Sequence, residues 1–166
     1  MKRFGLAIFF VFLAASLPAQ TWTRMQGWGL DLSTIFWIDN QRAVAGGENL
    51  LIETEDGGQT WKEIPYELEG KILAIRLDPN LQGFAVGEDG LILRTLDGGK
   101  NWDPKKISFS DNWKEVIFNG GDTWLLIGES GLVIRSSDFG ENWEDISPSP
   151  RKALYGGDFI NADSLF

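Results

Sequence analysis

Three carboxylates recur in this sequence at a constant step, and they are its first candidates for chemistry. Asp56, Asp97 and Asp138 each lie in an octad that starts with Thr or Ser and ends with Trp, and 41 residues separate one Asp from the next. Carboxylates can ligate a divalent cation or serve as general acids and bases. Because repeated units are displaced from one another in space, one Asp per unit cannot converge on one ion. We therefore interpret these carboxylates as structural.

The octad predicts a hairpin turn. In the first octad, Asp56 can accept hydrogen bonds from backbone N–H groups of the turn, and the two glycines after it allow positive φ. Trp61 then begins the following strand, with its indole under the turn or between units. Equivalent residues of the other octads take the same roles. The predicted structural set is Asp56, Gly58, Trp61, Asp97, Gly99, Trp102, Asp138, Gly140 and Trp143.

The composition excludes several classes of function. Among 166 residues there is no Cys and no His, which excludes thiol catalysis, a Cys-ligated zinc site and the usual Ser–His nucleophile. Lys and Arg total 15 and Asp and Glu total 24, so the formal net charge is −9. Such an acidic chain is a poor partner for nucleic acid. We expect no metal site and no cofactor.

The N-terminus has the pattern of a secretory signal peptide over 1–19. Lys2 and Arg3 precede an apolar run over 4–17, and a cleavage site follows at Ala19. The run is shorter than the roughly 20 apolar residues of a membrane-spanning helix. We expect a bacterial protein that is exported through Sec to the periplasm, cell surface or medium, without stable membrane insertion.

The step of 41 residues predicts the architecture of the remaining chain, 20–166. Each unit contains four short runs rich in β-branched or aromatic residues, bounded by Gly, Asn or Asp. Four antiparallel strands in about 40 residues are typical of a β-propeller blade. The prediction is an all-β fold, a β-propeller of four-stranded antiparallel blades. The repeats lie near 32–65, 72–107 and 113–146, and a fourth starts at 153–166.

About three and a half blades do not close a ring, because propellers have about four to eight. We expect the sequence to be a fragment of a seven-bladed ring, which at this period needs roughly 290 residues. Residues 21–25 resemble a fourth strand that would complete the last blade of such a ring. Closure by two copies of the chain is the alternative.

The fuller repeat resembles a known family. The octad is similar to the Asp-box, or bacterial neuraminidase repeat, and a strand ending in Gly precedes each octad. These strand motifs are Ala43-Val44-Ala45-Gly46, Phe84-Ala85-Val86-Gly87-Glu88-Asp89-Gly90 and Leu125-Leu126-Ile127-Gly128-Glu129-Ser130-Gly131. Because of these strand motifs and the octads, residues 22–166 resemble the photosystem II stability/assembly factor family of β-propellers. Related repeats occur in sialidases and xyloglucanases.

The resemblance implies a non-enzymatic, seven-bladed protein of the lumen or periplasm that binds a reaction-centre precursor through an Arg-rich surface. This sequence differs from that pattern, because it is strongly acidic and has no Cys for a lipid anchor. The difference favours a related module in a non-photosynthetic, exporting bacterium.

Candidate binding residues are expected on one face of the propeller. Hairpin connectivity places the turns between second and third strands on the same face as the linkers between units, and such loops concentrate binding residues. They can anchor a protein partner, with a glycan as the alternative. The candidates are Glu48, Tyr66, Glu88, Asp89, Lys105, Lys106, Phe109, Glu129, Arg151 and Lys152. That the glutamates among them are only solvated turn residues stays an open alternative.

An enzymatic alternative also stays open. A sialidase would need an Arg cluster and a Tyr nucleophile, but the two tyrosines, Tyr66 and Tyr155, lack a matching context. A glycosidase needs two carboxyls about 5–5.5 Å or about 6.5–9.5 Å apart, which sequence spacing does not reveal. We predict a non-enzymatic binding or assembly module. The alternative is a secreted glycoside hydrolase of sialidase or xyloglucanase type, with catalytic residues partly outside this fragment.

Overall fold

Three four-stranded antiparallel sheets follow one another along the chain. The computed structural model describes residues 31–67 and 69–154, together with the backbone of 159–161 and 164–165. Within each sheet the strands are ordered as in the sequence, so a hairpin joins every pair of neighbours. The predicted signal peptide, 1–19, lies outside the described residues. Within the described part of the chain, no helix is long and apolar enough to cross a membrane.

The strands define three blades and a further hairpin. Blade 1 consists of β1 (Leu32–Trp37), β2 (Ala43–Gly47), β3 (Leu50–Thr54) and β4 (Lys62–Glu63). Blade 2 consists of β5 (Ile72–Leu77), β6 (Gly83–Gly87), β7 (Ile92–Thr95) and β8 (Asp103–Pro104). Blade 3 consists of β9 (Trp113–Phe118), β10 (Trp124–Gly128), β11 (Val133–Ser136) and β12 (Glu144–Asp145). The hairpin pairs β13 (Phe159–Asn161) with β14 (Ser164–Leu165).

The core lies between the blades. Every residue of β2, β6 and β10 is buried, and in blade 2 this follows because blades 1 and 3 cover its two faces. One apolar cluster joins blade 1 to blade 2 through residues such as Val44 and Leu93. A second cluster joins blade 2 to blade 3 through Phe84 and Trp124, whose ring centroids are 5.0 Å apart. The predicted all-β architecture of four-stranded antiparallel blades is confirmed.

The fourth strand of each blade is shorter than the sequence predicts. We expect runs over 60–65, 101–107 and 142–146, but β4, β8 and β12 contain two residues each. The Asp-box turn extends to the residue before each Trp, since Asp56 accepts hydrogen bonds from Thr60. Trp61 therefore precedes the strand instead of beginning it. A short outermost strand also limits the edge available for pairing with other chains.

Candidate functional site

The three Asp-box turns share one hydrogen-bond pattern. The Thr54 hydroxyl donates to Asp56 Oδ1 at 2.9 Å and accepts from the Gly58 N–H at 2.9 Å. Asp56 Oδ1 also accepts from the Thr60 N–H at 2.8 Å. The indole N–H of Trp61 donates to the Gly58 carbonyl at 3.2 Å, so the ring lies under the turn. The same bonds recur around Asp97 and Asp138 in the next two blades.

These bonds keep the Asp-box carboxyls ionised. Hydrogen bonds from the Thr60 hydroxyl and N–H lower the pKa of Asp56 to about 2. Bonds from the Asn142 N–H and side chain likewise lower the pKa of Asp138. At Asp97 burial acts in the opposite direction, but the hydrogen bonds from Asn101, Thr95 and Lys100 together outweigh it and the pKa is lowered.

The Asp-boxes of blades 2 and 3 also contact the preceding blade. A Cβ added to Gly99 of blade 2 would lie 2.8 Å from Val44 Cγ2 of blade 1. A Cβ added to Gly140 of blade 3 would lie 2.7 Å from Phe84 Cζ of blade 2. The side-chain hydrogen bonds and the short distances from Gly99 and Gly140 to the preceding blade indicate that the Asp-box residues have a structural role. Among the described residues, no group of three Asp or Glu side chains is placed to hold a metal ion.

Turns and linkers meet on the opposite face, which we call the loop face. In blade 1, the turn residue Asn49 accepts a hydrogen bond from the Gly70 N–H at 2.7 Å through its side-chain oxygen. In blade 2, Gly90 N–H donates to the carbonyl of Asp111, and Asp89 N–H donates to Asn112 Oδ1. In blades 1 and 2, the turn between second and third strands is thus joined to the linker that enters the next blade.

The loop end of blade 2 contains a cleft of about 320 Å³, which we call the loop-face cleft. Its lining residues are Glu69, Glu88, Asp89, Gly90, Leu91, Lys105, Lys106, Ile107, Phe109 and Ser110. The structure therefore brings five of the ten candidates together, namely Glu88, Asp89, Lys105, Lys106 and Phe109. Leu91 is buried, and Ile107 and Phe109 are partly buried against the cluster between blades 2 and 3, so the floor is apolar.

The other five candidates lie on the loop face outside this cleft. Glu129 is held by Lys114, 3.3 Å away, and by the Asn112 side chain, and these partners lower its pKa. Arg151 forms an ion pair with Asp145 of the preceding strand, β12. The carbonyl of Lys152 packs against Gly131.

Glu48 and Tyr66 complete the set. Tyr66 packs against the cluster between blades 1 and 2, and burial, with smaller contributions from Glu48 and Glu63, raises its pKa. Within the described residues its buried hydroxyl has no hydrogen-bond partner. The Glu48 N–H donates to the carbonyl of Asp31, which closes the first strand pair of blade 1.

Sequence reasoning missed part of the cleft. Leu91, Ile107 and Ser110 were not among the candidates, although they form its floor and rim. Ile107 lies at the end of the predicted fourth strand over 101–107, which ends at Pro104 in the structure, so the sequence did not indicate it as a loop residue. Leu91 was assigned only to the third strand of its blade, and nothing in the sequence shows that its side chain reaches a surface cleft.

A larger hollow of about 640 Å³ lies on the Asp-box face, and the sequence did not indicate it. Its charged groups already have partners. The Arg76 guanidinium lies 5.7 Å from the centre of the Phe36 ring and attracts Glu115, while Asp78 accepts from the Gln82 N–H at 2.8 Å. This hollow offers apolar surface without an uncommitted charge, so the loop-face cleft is the better candidate site.

The sequence matches the family model described as Photosynthesis system II assembly factor YCF48, over residues 17–96 and 60–157. The chain belongs to this YCF48 family. The resemblance inferred from the Asp-box and strand motifs is thereby confirmed. Among curated proteins, no sequence matches.

Several solved structures have a fold similar to that of this chain. The structure of YCF48 bound to D1 peptide is 27% identical over 70% of this chain and 39% of that chain, with a TM-score of 0.64. YCF48 from Cyanidioschyzon merolae is 21% identical over 75% of this chain and 41% of that chain, with a TM-score of 0.63. The GH74 xyloglucanase from Xanthomonas campestris is 17% identical over 72% of this chain and 21% of that chain, with a TM-score of 0.60. The structures from Cyanidioschyzon merolae and Xanthomonas campestris are under 25% identical to this chain, so these two similarities show the fold alone.

The chain spans about two fifths of the length of the YCF48 structures that it matches. In one of these structures, YCF48 is bound to D1 peptide.

Proposed function

We propose that this chain is a non-enzymatic module that binds an extended segment of a protein partner in the loop-face cleft. One observation carries the proposal, namely that five candidate residues from a turn and a linker converge on one cleft with an apolar floor. The YCF48 structure with a bound D1 peptide supports it, because that relative binds a protein segment.

The rigid blades make this cleft suitable for recognition. The Asp89 N–H and Gly90 N–H are both bonded to the next linker, so the turn that forms one wall is held before a partner arrives. Preorganised loops lose little conformational entropy on binding. Phe109 is the aromatic side chain of the floor and provides an anchor of the kind that dominates interface energetics.

A selection experiment tests the proposal. Phage-displayed random peptides are selected on the full chain, and the affinities of the selected peptides are measured by fluorescence anisotropy. We expect Phe109→Ala to weaken them at least about tenfold, the loss typical of a hot-spot residue. Leu96→Ala is the matched control, since Leu96 is a 55% exposed apolar residue of an Asp-box turn. Selected peptides that bind both variants equally would refute the cleft as the site.

Export is part of the proposal. The basic residues, the apolar run and the Ala19 site support secretion by a bacterium. N-terminal sequencing of the protein recovered from the periplasm or medium tests export, and a chain that keeps Met1 and stays in the cytoplasm would refute it.

A glycan is the second ligand class proposed for the loop face.

A glycoside hydrolase is the second candidate, on one specific observation. Burial raises the pKa of the Glu115 carboxyl, partly offset by the Val116 N–H and Arg76, and a raised pKa suits a general acid. The GH74 xyloglucanase shares the fold. Release of reducing sugar from xyloglucan by the parent chain, abolished by Glu115→Gln, would establish this candidate over the binding module.

A further inference from the structure

We propose that the segment bound in the loop-face cleft is cationic and amphipathic, with Lys or Arg side chains beside an apolar residue. This inference rests on the proposed function and specifies the chemistry of the partner. It follows from which charges around the cleft are already neutralised and which are free.

The carboxylates on the acidic wall of the cleft take no part in an ion pair. Among the described residues, the carboxylates of Glu69, Glu88 and Asp89 make no hydrogen bond and no ion pair, although all three line the cleft. The Asp89 N–H is bonded to Asn112, so the turn is held in place while the carboxylate stays free. A cationic side chain entering here meets three uncompensated negative charges.

The basic side is weaker than its two lysines suggest. Lys105 Nζ lies 3.8 Å from Glu141 of blade 3, and its side chain is only 26% exposed, so part of its charge is compensated. Lys106 is exposed and forms no ion pair within the described residues. Three free acids therefore face one free base and a second base, Lys105, that shares Glu141 with Arg94. The net charge of −9 adds a long-range attraction for cations.

Comparison of the blades shows that blade 2 has the most free negative charge in this turn. Glu88 corresponds to Glu129 of blade 3 by the step of 41 residues, but Glu129 is neutralised by Lys114 at 3.3 Å. Blade 1 has Gly47 at the position of Glu88 and Glu48, which forms no ion pair within the described residues, at the position of Asp89. Of the three described blades, only blade 2 has two carboxylates without an ion pair in this turn.

The floor explains why the partner must also be apolar in part. Leu91 is 4% exposed, and Ile107 and Phe109 pack against the core cluster while lining the cleft. An apolar side chain can bury surface on this floor while a neighbouring Lys or Arg reaches the acidic wall. Alternation of the two matches an extended segment, whose successive side chains point to opposite sides.

Defined peptides test the inference. Three short peptides keep the same leucine and phenylalanine positions and carry lysine, glutamine or glutamate at the intervening ones. Their affinities for the full chain are measured by fluorescence anisotropy in about 50 mM and about 500 mM NaCl. We expect the lysine peptide to bind tightest and the glutamate peptide weakest, with the difference shrinking at high salt.

Two double variants of equal net charge separate the cleft from the overall acidity. Glu88→Gln/Asp89→Asn should weaken the lysine peptide about tenfold, roughly threefold for each charge removed. Asn tolerates the positive φ of 53° at position 89, so the turn is kept. The control, Glu55→Gln/Asp122→Asn, removes two exposed carboxylates of the opposite face and should leave the affinity unchanged.

Each outcome decides the inference. Equal affinities for the three peptides, or tightest binding of the glutamate peptide, would overturn the cationic chemistry; if Phe109→Ala still weakens these peptides, the proposed function survives. Equal loss in both double variants would show that only the net charge matters and would also overturn it. If none of the peptides binds, the inference fails, and the phage selection then decides the proposed function separately.

Discussion

Substituting Gly99 by Ala tests how the Asp-box turns hold the blades together. A Cβ at this position would lie 2.8 Å from Val44 Cγ2, and Val44 is 1% exposed in the core between blades 1 and 2. Gly98 is a matched control in the same turn, with φ of 80° against 87° at Gly99. A Cβ at Gly98 would meet nothing closer than Leu81 Cδ1 at 3.5 Å, an ordinary contact.

The two substitutions share one cost and differ in the other. Placing Ala at a left-handed φ costs roughly 1–2 kcal/mol in each case. Gly99→Ala adds an overlap in a packed core, which costs roughly 1–3 kcal/mol more. Phe139 of blade 3 occupies the position equivalent to Gly98 and has a φ of 56°, which shows that a residue with a side chain is tolerated there.

Urea unfolding of the full chain, followed by tryptophan fluorescence, measures both free energies. Val44→Ala removes the atom that clashes, so the double variant Val44→Ala/Gly99→Ala should lose about 1–3 kcal/mol less than the sum of the single losses. Equal destabilisation by Gly98→Ala and Gly99→Ala, or strict additivity in the double variant, would refute the contact between turn and blade as the reason for the glycine.

Three further predictions concern buried and bonded polar groups. The folded pKa of Asp56 is about 2, below its ordinary value of 3.8, so the stability that its ionised carboxylate contributes is complete above about pH 4 and is lost as the pH falls towards 2. Acid titration of the parent and of Asp56→Asn, followed by circular dichroism, should therefore show a weaker pH dependence of stability in the variant. Arg94→Ala should lower the free energy of unfolding by about 1–3 kcal/mol, because the Arg94 side chain of blade 2 bonds the Asp-box turn of blade 3. Arg135→Ala should lower it by under about 0.5 kcal/mol, since the ion pair of Arg135 with Glu144 is exposed and lies within one blade. Urea denaturation compares the two variants, and equal losses would contradict this prediction. Tyr66→Phe removes a buried hydroxyl that has no hydrogen-bond partner among the described residues. The melting temperature of this variant should therefore equal or exceed that of the parent, and a fall of several degrees would contradict the prediction.

The architecture was predictable because its determinants are local and repeated. The Asp-box bonds join Thr54, Asp56 and Thr60 within one short turn, so a single unit of sequence contains the whole arrangement. The recurrence of that turn at 41 residues, with apolar strands before it, indicates stacked four-stranded units. The length of the fourth strand was less predictable, since edge pairing depends on where the turn bonds end.

The candidate site was only partly predictable. The alternation of hairpins predicts that Glu88, Lys106 and Phe109 share one face, and the structure brings these three residues into one cleft. Leu91 was not recognised as a cleft residue, because its position at the start of a third strand indicates burial alone. Which loops meet depends on how neighbouring blades pack, and one unit of sequence contains no information on that.

The sequence by itself determined the repeat, the blade topology and the turn chemistry of this YCF48 family member. The tertiary structure alone decided which charges are free. Glu88 and Glu129 are equivalent in sequence, yet Lys114 neutralises one and nothing in the described chain neutralises the other. Arg94 and Glu141 are 47 residues apart but form a bond between blades. Coulomb energies change over a few ångströms, and only the packing of one blade on the next sets distances on that scale.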